Sequence, residues 1–450
     1  MQRLAKITGL SAIFAVASLV PAQAQSLDEA LALAYQNNPT IEAGRAALRA
    51  IDEGVPQALS GWRPDVRING EASRLHQSSN RIAALSDDDR NTFRGSLTVT
   101  QNVYAGGQTE AEIRQAKHLV SAQRARLFAT EQLVLLDGVT AYMNVFREEA
   151  VLELNVGNEQ VLSRQLEATQ DRFDVGEVTR TDVAQAEAAL ARAKAVRIKA
   201  EGDLEVSRAF YRQIVGVLPV AVPLPDFAPG TPASAEEAAA MAAEKNPEVI
   251  SVLFAERAAR EFADQVKGEL LPSVDIVGEA AQGRNTGARG QNVDNLTITA
   301  ELTVPIYQRG EVSSRIREAI QLAGQRRLEI EEARRSAIEE AASAFELFNS
   351  ARASILSRDA EVSAARIAQE GVAQEAAVGS RTVLDVLDAE QALLDAQVNL
   401  VRDQRDAIVA SYALLAAVGG MTAANLALPV DLYDETKYYR QVRDKLWGYD

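Results

Sequence analysis

Residues 296–304 read Leu296-Thr297-Ile298-Thr299-Ala300-Glu301-Leu302-Thr303-Val304. Every second side chain is apolar, so a pleated strand here carries one oily face and one polar face. Three other stretches follow the same rule. Val66, Ile68, Gly70 and Ala72 alternate with Arg67, Asn69, Glu71 and Ser73. Phe93, Gly95, Leu97 and Val99 alternate with Arg94, Ser96, Thr98 and Thr100. Val274, Ile276, Gly278 and Ala280 alternate with Asp275, Val277, Glu279 and Ala281. Each run has about 9–11 residues, the length of a strand that crosses a bilayer at a tilt. The same alternation also fits half-buried hairpins in a soluble protein. The two readings make different demands. In hydrocarbon every backbone group must be paired, so a spanning sheet has to close. The smallest membrane barrels have about eight strands. Four strands per chain therefore imply a shared barrel, with a filled lumen in a dimer or an open, water-filled one in a trimer.

The strands fall into two pairs because the chain is duplicated. Asn38-Pro39 matches Asn246-Pro247, and Pro64-Asp65-Val66-Arg67-Ile68 matches Pro272-Ser273-Val274-Asp275-Ile276, at an offset of 208 residues. Farther on the offset is 203: Tyr104 matches Tyr307, Gly107 matches Gly310, Val175-Gly176 matches Val378-Gly379, and Gly216 matches Gly419. The change falls between residues 73 and 93, where the first copy is expected to carry a longer loop. The first repeat spans 25–217 and the second 234–419. Between them, 218–233 is too rich in proline for a helix and reads as an extended linker. Residues 420–450 form an aromatic-rich tail that is either equatorial or loose.

Each repeat reads in the same order: a short helix (26–36, 234–245), a medium helix (40–60, 248–269), a hairpin (about 65–102, 273–304), a very long helix (108–174, 311–377), a Val-Gly turn, and a last helix (179–216, 382–418). At about 1.5 Å per residue the long helices run roughly 100 Å. A medium and a last helix, placed end to end, nearly match that length. The last helices carry a seven-residue pattern. In the first copy it runs through Val183, Ala186, Leu190, Ala193, Arg197, Ala200, Leu204, Ser207 and Tyr211; in the second it includes Val386, Ala389, Leu393, Ala396, Leu400, Asp403 and Ala407. Such a period supercoils helices left-handedly. Arg197 and Asp403 interrupt the seam, and an ordinary antiparallel coiled coil would show the same pattern.

Composition narrows the function. Lys+Arg number 47 and Asp+Glu 63, a net charge of −16, which disfavours nucleic acid as a partner. There is no Cys and there are only two His, His76 and His118. Thiol chemistry and disulfides are excluded, and imidazole triads or metal sites have almost no material. No enzyme activity, metal or other cofactor is expected. His118 is expected at the helix surface. At the N-terminus, Arg3 and Lys6 precede an apolar stretch, Ile7 to Val20, and Pro21-Ala22-Gln23-Ala24. This reads as an export signal over residues 1–24.

The chain resembles the TolC family of outer-membrane efflux and type I secretion proteins. The most specific segment is Val378-Gly379-Ser380-Arg381-Thr382-Val383-Leu384-Asp385-Val386-Leu387-Asp388-Ala389-Glu390, echoed by Val175-Gly176, Thr181-Asp182-Val183 and Glu187. The resemblance implies a mainly helical chain that forms a homotrimer. Its twelve-strand β-barrel in the outer membrane would be continuous with a periplasmic α-helical barrel. It also implies a passive exit duct, working with a periplasmic adaptor and an inner-membrane ABC exporter or proton-driven pump. The competing reading is a soluble periplasmic coiled-coil scaffold or adaptor.

Under this resemblance Asp385 and Asp388 form a pore entrance ring. Arg381, Thr181 and Asp182 tie helix pairs together at a gate, and Val175, Gly176, Val378 and Gly379 are tips where the adaptor docks. Ala376 stands where the lock often carries a Tyr, which implies fewer ties. Local readings exist beside these. Thr382-x-x-Asp385 and Thr179-x-x-Asp182 both fit a helix-start capping box. Asp388 also fits a solvated face, and the Val-Gly pairs also fit tight turns.

Overall fold

The computed structural model describes residues 25–78 and 87–448. The expected export signal lies outside them. Four strands make one antiparallel sheet in the order β1 (Asp65–Ser78), β2 (Asp87–Ala105), β3 (Ser273–Arg284) and β4 (Asn292–Thr303). The register puts like with like. Val66 faces Val99, Ile68 faces Leu97, Leu97 faces Ala280, and Gly278 faces Ile298. The apolar face is thus continuous across the sheet, and it is uncovered: Ile68 is 83% exposed, Leu296 81% and Ile298 78%. On the other face Arg94 pairs with Glu279 at 3.2 Å. The outer edges of β1 and β4 are not paired with each other.

The first hairpin departs from expectation. The extra residues of the first copy do not all go into a loop; the ladder continues from Ser73↔Thr92 to Ser78↔Asp87. Cross-strand polar pairs support this extension. The Arg74 guanidinium donates two bonds to Asp89, at 3.0 and 2.6 Å, and the Ser73 and Thr92 hydroxyls lie 2.6 Å apart. A β-bulge at Asn102/Tyr104 bends β2 where it leaves the sheet.

Ten helices are described: α1 (Leu27–Asn37), α2 (Pro39–Asp52), α3 (Gly54–Leu59), α4 (Gln108–Asp174), α5 (Arg180–Val215), α6 (Ala235–Lys245), α7 (Pro247–Gly268), α8 (Glu311–Ala377), α9 (Val383–Ala417) and α10 (Lys437–Val442). A helix expected over 40–60 is split into α2 and α3. Pro56 has no N–H to offer the Asp52 carbonyl four residues back, so the helical ladder breaks there. Its counterpart in the second copy is Asp264, and α7 is continuous.

The duplicated Asn-Pro pairs have a common physical reason. The Asn38 side-chain oxygen accepts from the Thr40 N–H at 2.9 Å, capping α2, while its amide donates to the Ile214 carbonyl at the end of α5. Asn246 does the same with the Glu248 N–H and the Ala417 carbonyl of α9. Proline suits the first helical position because that N–H needs no partner. One amide therefore joins the end of one helix to the start of another in each copy.

The lower half of α4 lies along α5, and α9 lies along α8 and against α4. The upper part of α4 lies along α2, α3 and α7, and α7 also touches α8. Ala186, Leu190, Ala193, Ala200, Leu204, Ser207 and Tyr211 are buried along the α5 seam. Its charged interruptions are partnered across the helix pairs: Arg197 with Glu159 at 2.6 Å, and Asp403 with Arg358 at 3.1 Å. The main core sits at mid-height and includes Leu31, Val139, Tyr142, Tyr211, Ala341 and Leu414. Between the copies, residues 218–233 are non-helical and tied down. The Tyr142 hydroxyl lies 3.0 Å from the Gln25 carbonyl and 2.9 Å from that of Pro223, and the Ala228 N–H donates to the Ser411 hydroxyl.

The tail is docked, which the sequence left open. Met421 and Ala423 are buried, and the Ala423 N–H donates to Glu131 at 2.7 Å. The Tyr438 hydroxyl donates to Glu53 at 2.6 Å, and the Arg124 guanidinium lies over the Tyr439 ring. Beside this contact Asp52 is buried, and neither of its carboxylate oxygens has a hydrogen-bond partner. Burial pushes its carboxyl up to about 6 from 3.8, despite the attraction of Arg124. The folded state thus binds this proton more tightly than the unfolded chain does. The contribution of this one carboxyl to stability is fully present below pH 3.8 and is lost as pH rises through about 6. Asp52→Asn is expected to remove this component. Chemical denaturation of the variant followed from acid to neutral pH should show a flatter stability profile than the parent's.

Candidate functional site

The two helix-pair tips are built alike. Each long helix ends in a turn closed by a glycine with positive φ, 82° at Gly176 and 80° at Gly379. The Gly176 N–H donates to the Phe173 carbonyl and the Glu177 N–H to that of Arg172; Gly379 and Ser380 repeat this with Ala376 and Glu375. Such closure satisfies the last carbonyls of a helix and requires the left-handed conformation that glycine tolerates. Val175 and Val378 are exposed at the outermost point.

The next helices begin in full capping boxes. The Thr179 N–H and hydroxyl donate to Asp182 at 2.8 and 2.7 Å, and the Thr382 N–H and hydroxyl donate to Asp385 at 2.9 and 2.8 Å. These bonds from the backbone and the hydroxyl hold both carboxyls below the usual carboxylate range. Asp385 therefore stays ionised to lower pH than an ordinary aspartate. Thr181 is exposed on the first turn of α5.

Arg381 pairs with Glu375 at 2.7 Å, across its own turn. The first copy carries the reverse arrangement, Arg172 with Glu177 at 3.2 Å. Within the chain the polar groups at each tip are thus engaged locally: Arg381 with Glu375, and Asp182 with Thr179. Glu375 was missed as a partner in the sequence. The sequence holds only a partial signal: a carboxylate in the last turn of a helix opposes the helix dipole and invites a nearby cation, but Asp182 and Asp385 offer carboxylates as well. Arg172 occupies the matching place in α4, where its charge suits the dipole.

Apolar contacts join the two helix pairs just above the tips. Val383 and Leu387 of α9 bury with Leu162 of α4 and with Leu190 and Ala193 of α5. This seam turns Asp388 outward, and Asp388 is exposed. It lines one end of an open groove of about 1110 Å³ between α5 and α9, floored by α4. Up the groove α9 presents Gln391, Asp395, Asn399 and Arg402, and α5 presents Gln185, Arg192, Lys199 and Asp203. The lining is mixed in charge, unlike the mostly apolar lining of a pocket that captures one small ligand.

Away from the tips, His118 is half-buried rather than on the surface. Its ring stacks on Phe254 of α7 at 6.2 Å, and burial lowers its pKa. Among the described residues no cluster of acidic or imidazole groups is arranged to hold a metal ion. Among the same residues no helix is long and apolar enough to cross a membrane.

Residues 30–217 and 238–420 match the family model described as outer membrane efflux protein. The chain is 34% identical over 428 residues to the outer membrane efflux protein BepC of Brucella suis biovar 1, covering 95% of this chain and 92% of that one. It is 25% identical over 419 residues to the outer membrane protein TolC of Escherichia coli K12, covering 90% and 84%. Among solved structures, the Campylobacter jejuni CmeC outer membrane channel superposes with a TM-score of 0.80 at 16% identity, over 93% of this chain and 89% of that one.

Proposed function

The chain belongs to the outer membrane efflux protein family, and on that premise we infer that it is an outer-membrane channel-tunnel, the passive exit duct of an efflux or type I secretion system. The observation that carries this reading is the open-edged sheet. Its apolar face is uncovered and its two edges await partners, above helices of 67 residues. Three copies, joined β4 to β1, supply twelve strands and a closed wall. Their helices continue the wall into the periplasm as a tube about 100 Å long. A soluble scaffold would leave the apolar sheet face in water, and family membership disfavours it.

The test is the particle itself. Detergent-extracted protein from outer membranes should have the mass of three chains and migrate more slowly unheated than boiled. A monomer released with the soluble periplasmic fraction would overturn the reading.

The duct has no energy source of its own, so we assign that role to an inner-membrane ABC exporter or proton-driven pump, coupled through a periplasmic adaptor. Val175, Gly176, Val378 and Gly379, at the exposed turns, are the proposed adaptor contacts. The family is one of transport proteins rather than enzymes, and the site asks for no bond chemistry. In the assembled ring Asp385 and Asp388 supply a narrow acidic entrance, where charged rings set selectivity.

For the gate, Arg381 is proposed to hold the closed tips by exchanging Glu375 for Asp182 and Thr181 of an adjacent helix pair. Charge-assisted hydrogen bonds of this kind are directional enough to lock a tip. Arg381→Ser is expected to raise the resting conductance of single channels in planar bilayers. An unchanged conductance would remove Arg381 from the gate.

A further inference from the structure

The C-terminal tail does more than cover the mid-height core; it climbs toward the sheet. The Tyr433 N–H donates to the Tyr35 hydroxyl of α1, Tyr438 reaches Glu53 after α2, and Arg63 donates to the Lys445 carbonyl at 2.9 Å. Arg63 stands two residues before β1. At about 3.3 Å per residue it lies roughly 10 Å below Val66, the first outward apolar residue of that strand. The tail is anchored up to this point, with Val442 buried and the Lys445 N–H bonded to the Val442 carbonyl. The next two side chains are then released into the open: Leu446 is 71% exposed and Trp447 87%.

The level they reach, beside Arg63 at the start of β1, is not ordinary surface. The feet of the strands carry exposed Leu270, Leu271, Tyr104, Ile306 and Tyr307. Together they form an exposed aromatic and aliphatic rim at the foot of the sheet. Tryptophan favours such a boundary because its ring sits among acyl chains while its N–H meets headgroups.

We propose that Leu446 and Trp447 form an interfacial anchor that inserts into the periplasmic-facing phospholipid leaflet beside the foot of the barrel. The inference rests on the outer-membrane reading. The anchor fastens the mid-height belt to the bilayer, so that α1, α2 and the tail are held to the lipid surface as well as to the long helices.

The chain has no Cys, so single labelling sites are available without further changes. Trp447→Cys and Ile298→Cys full-length proteins would each carry an environment-sensitive fluorophore and be reconstituted into phosphatidylethanolamine–phosphatidylglycerol vesicles with spin-labelled phospholipid. The expected result is loss of most emission at both sites, with a shallow spin label more effective at position 447 and a deep one at 298. If position 298 is quenched while 447 responds only to aqueous iodide, the anchor is wrong and the membrane reading stands. If 298 is quenched while 447 is shielded from lipid and iodide alike, a second copy or another protein surface covers it, and the anchor is again wrong. If neither site is quenched by lipid, the membrane reading fails and the anchor fails with it. Intrinsic emission provides a label-free check. The difference between the parent and Trp447→Phe should be blue-shifted in vesicles and quenched by the shallow spin label.

Discussion

Ile298→Arg is expected to keep the protein from assembling as a heat-resistant oligomer in membranes, while Thr299→Arg, one residue away, leaves assembly nearly intact. The two side chains point to opposite faces of β4. Ile298 is on the uncovered apolar face, opposite Gly278, whereas Thr299 is on the polar face, opposite Val277. A cation near the middle of the lipid-facing band costs about 2–4 kcal/mol per copy. Repeated in every copy of one closed wall, that cost is comparable with the roughly 5–15 kcal/mol by which proteins are usually stable. On the lumenal face the guanidinium stays in water. Unheated gel migration of membrane extracts reads the result. Equal tolerance of both substitutions would mean that the sheet does not face lipid.

The second large effect concerns the entrance. Replacing both Asp385 and Asp388 by Ala is expected to abolish most of the block of conductance by multivalent cations, because each copy loses both carboxylates from the proposed entrance ring. Bilayer recordings with trivalent cations added on the periplasmic side measure it, and undiminished block would remove these residues from the entrance. The pH dependence adds a separate signature. The Thr382 N–H and hydroxyl lower the carboxyl pKa of Asp385. Its anionic form, and the share of block it supports, should persist below the pH at which ordinary carboxylates protonate. Thr382→Val, which removes the hydroxyl bond, should move the loss of block to higher pH.

Much of the architecture could be read from the chain because the signals are local. Alternation over nine residues marks β4, and the Val-Gly pairs end the long helices with turns whose geometry needs little from elsewhere. The split of α2 from α3 is equally local, written in Pro56, whose counterpart in the unbroken α7 is Asp264. The tail was a different matter. Its docking depends on Tyr438 meeting Glu53 and Arg63 meeting Lys445, contacts between residues 385 and 382 positions apart. No pattern within the tail encodes such partners. At the tips, Asp182 and Asp385 could be placed from capping spacing alone. The partner of Arg381 could not, since Glu375, Asp182 and Asp385 all offer carboxylates and only the turn geometry selects among them.

The two long helices have the same number of residues, 67 each, although their sequences have drifted widely. Equal counts keep both turns level and facing the same way. Removing one residue from α4 alone would withdraw its tip by about 1.5 Å and swing it through roughly 100°. In the proposed trimer the rim would then alternate high and low around its circumference, and the proposed adaptor contacts would no longer lie level. Insertions and deletions in these helices are therefore expected to persist through evolution only in matched pairs, one in each half of the gene.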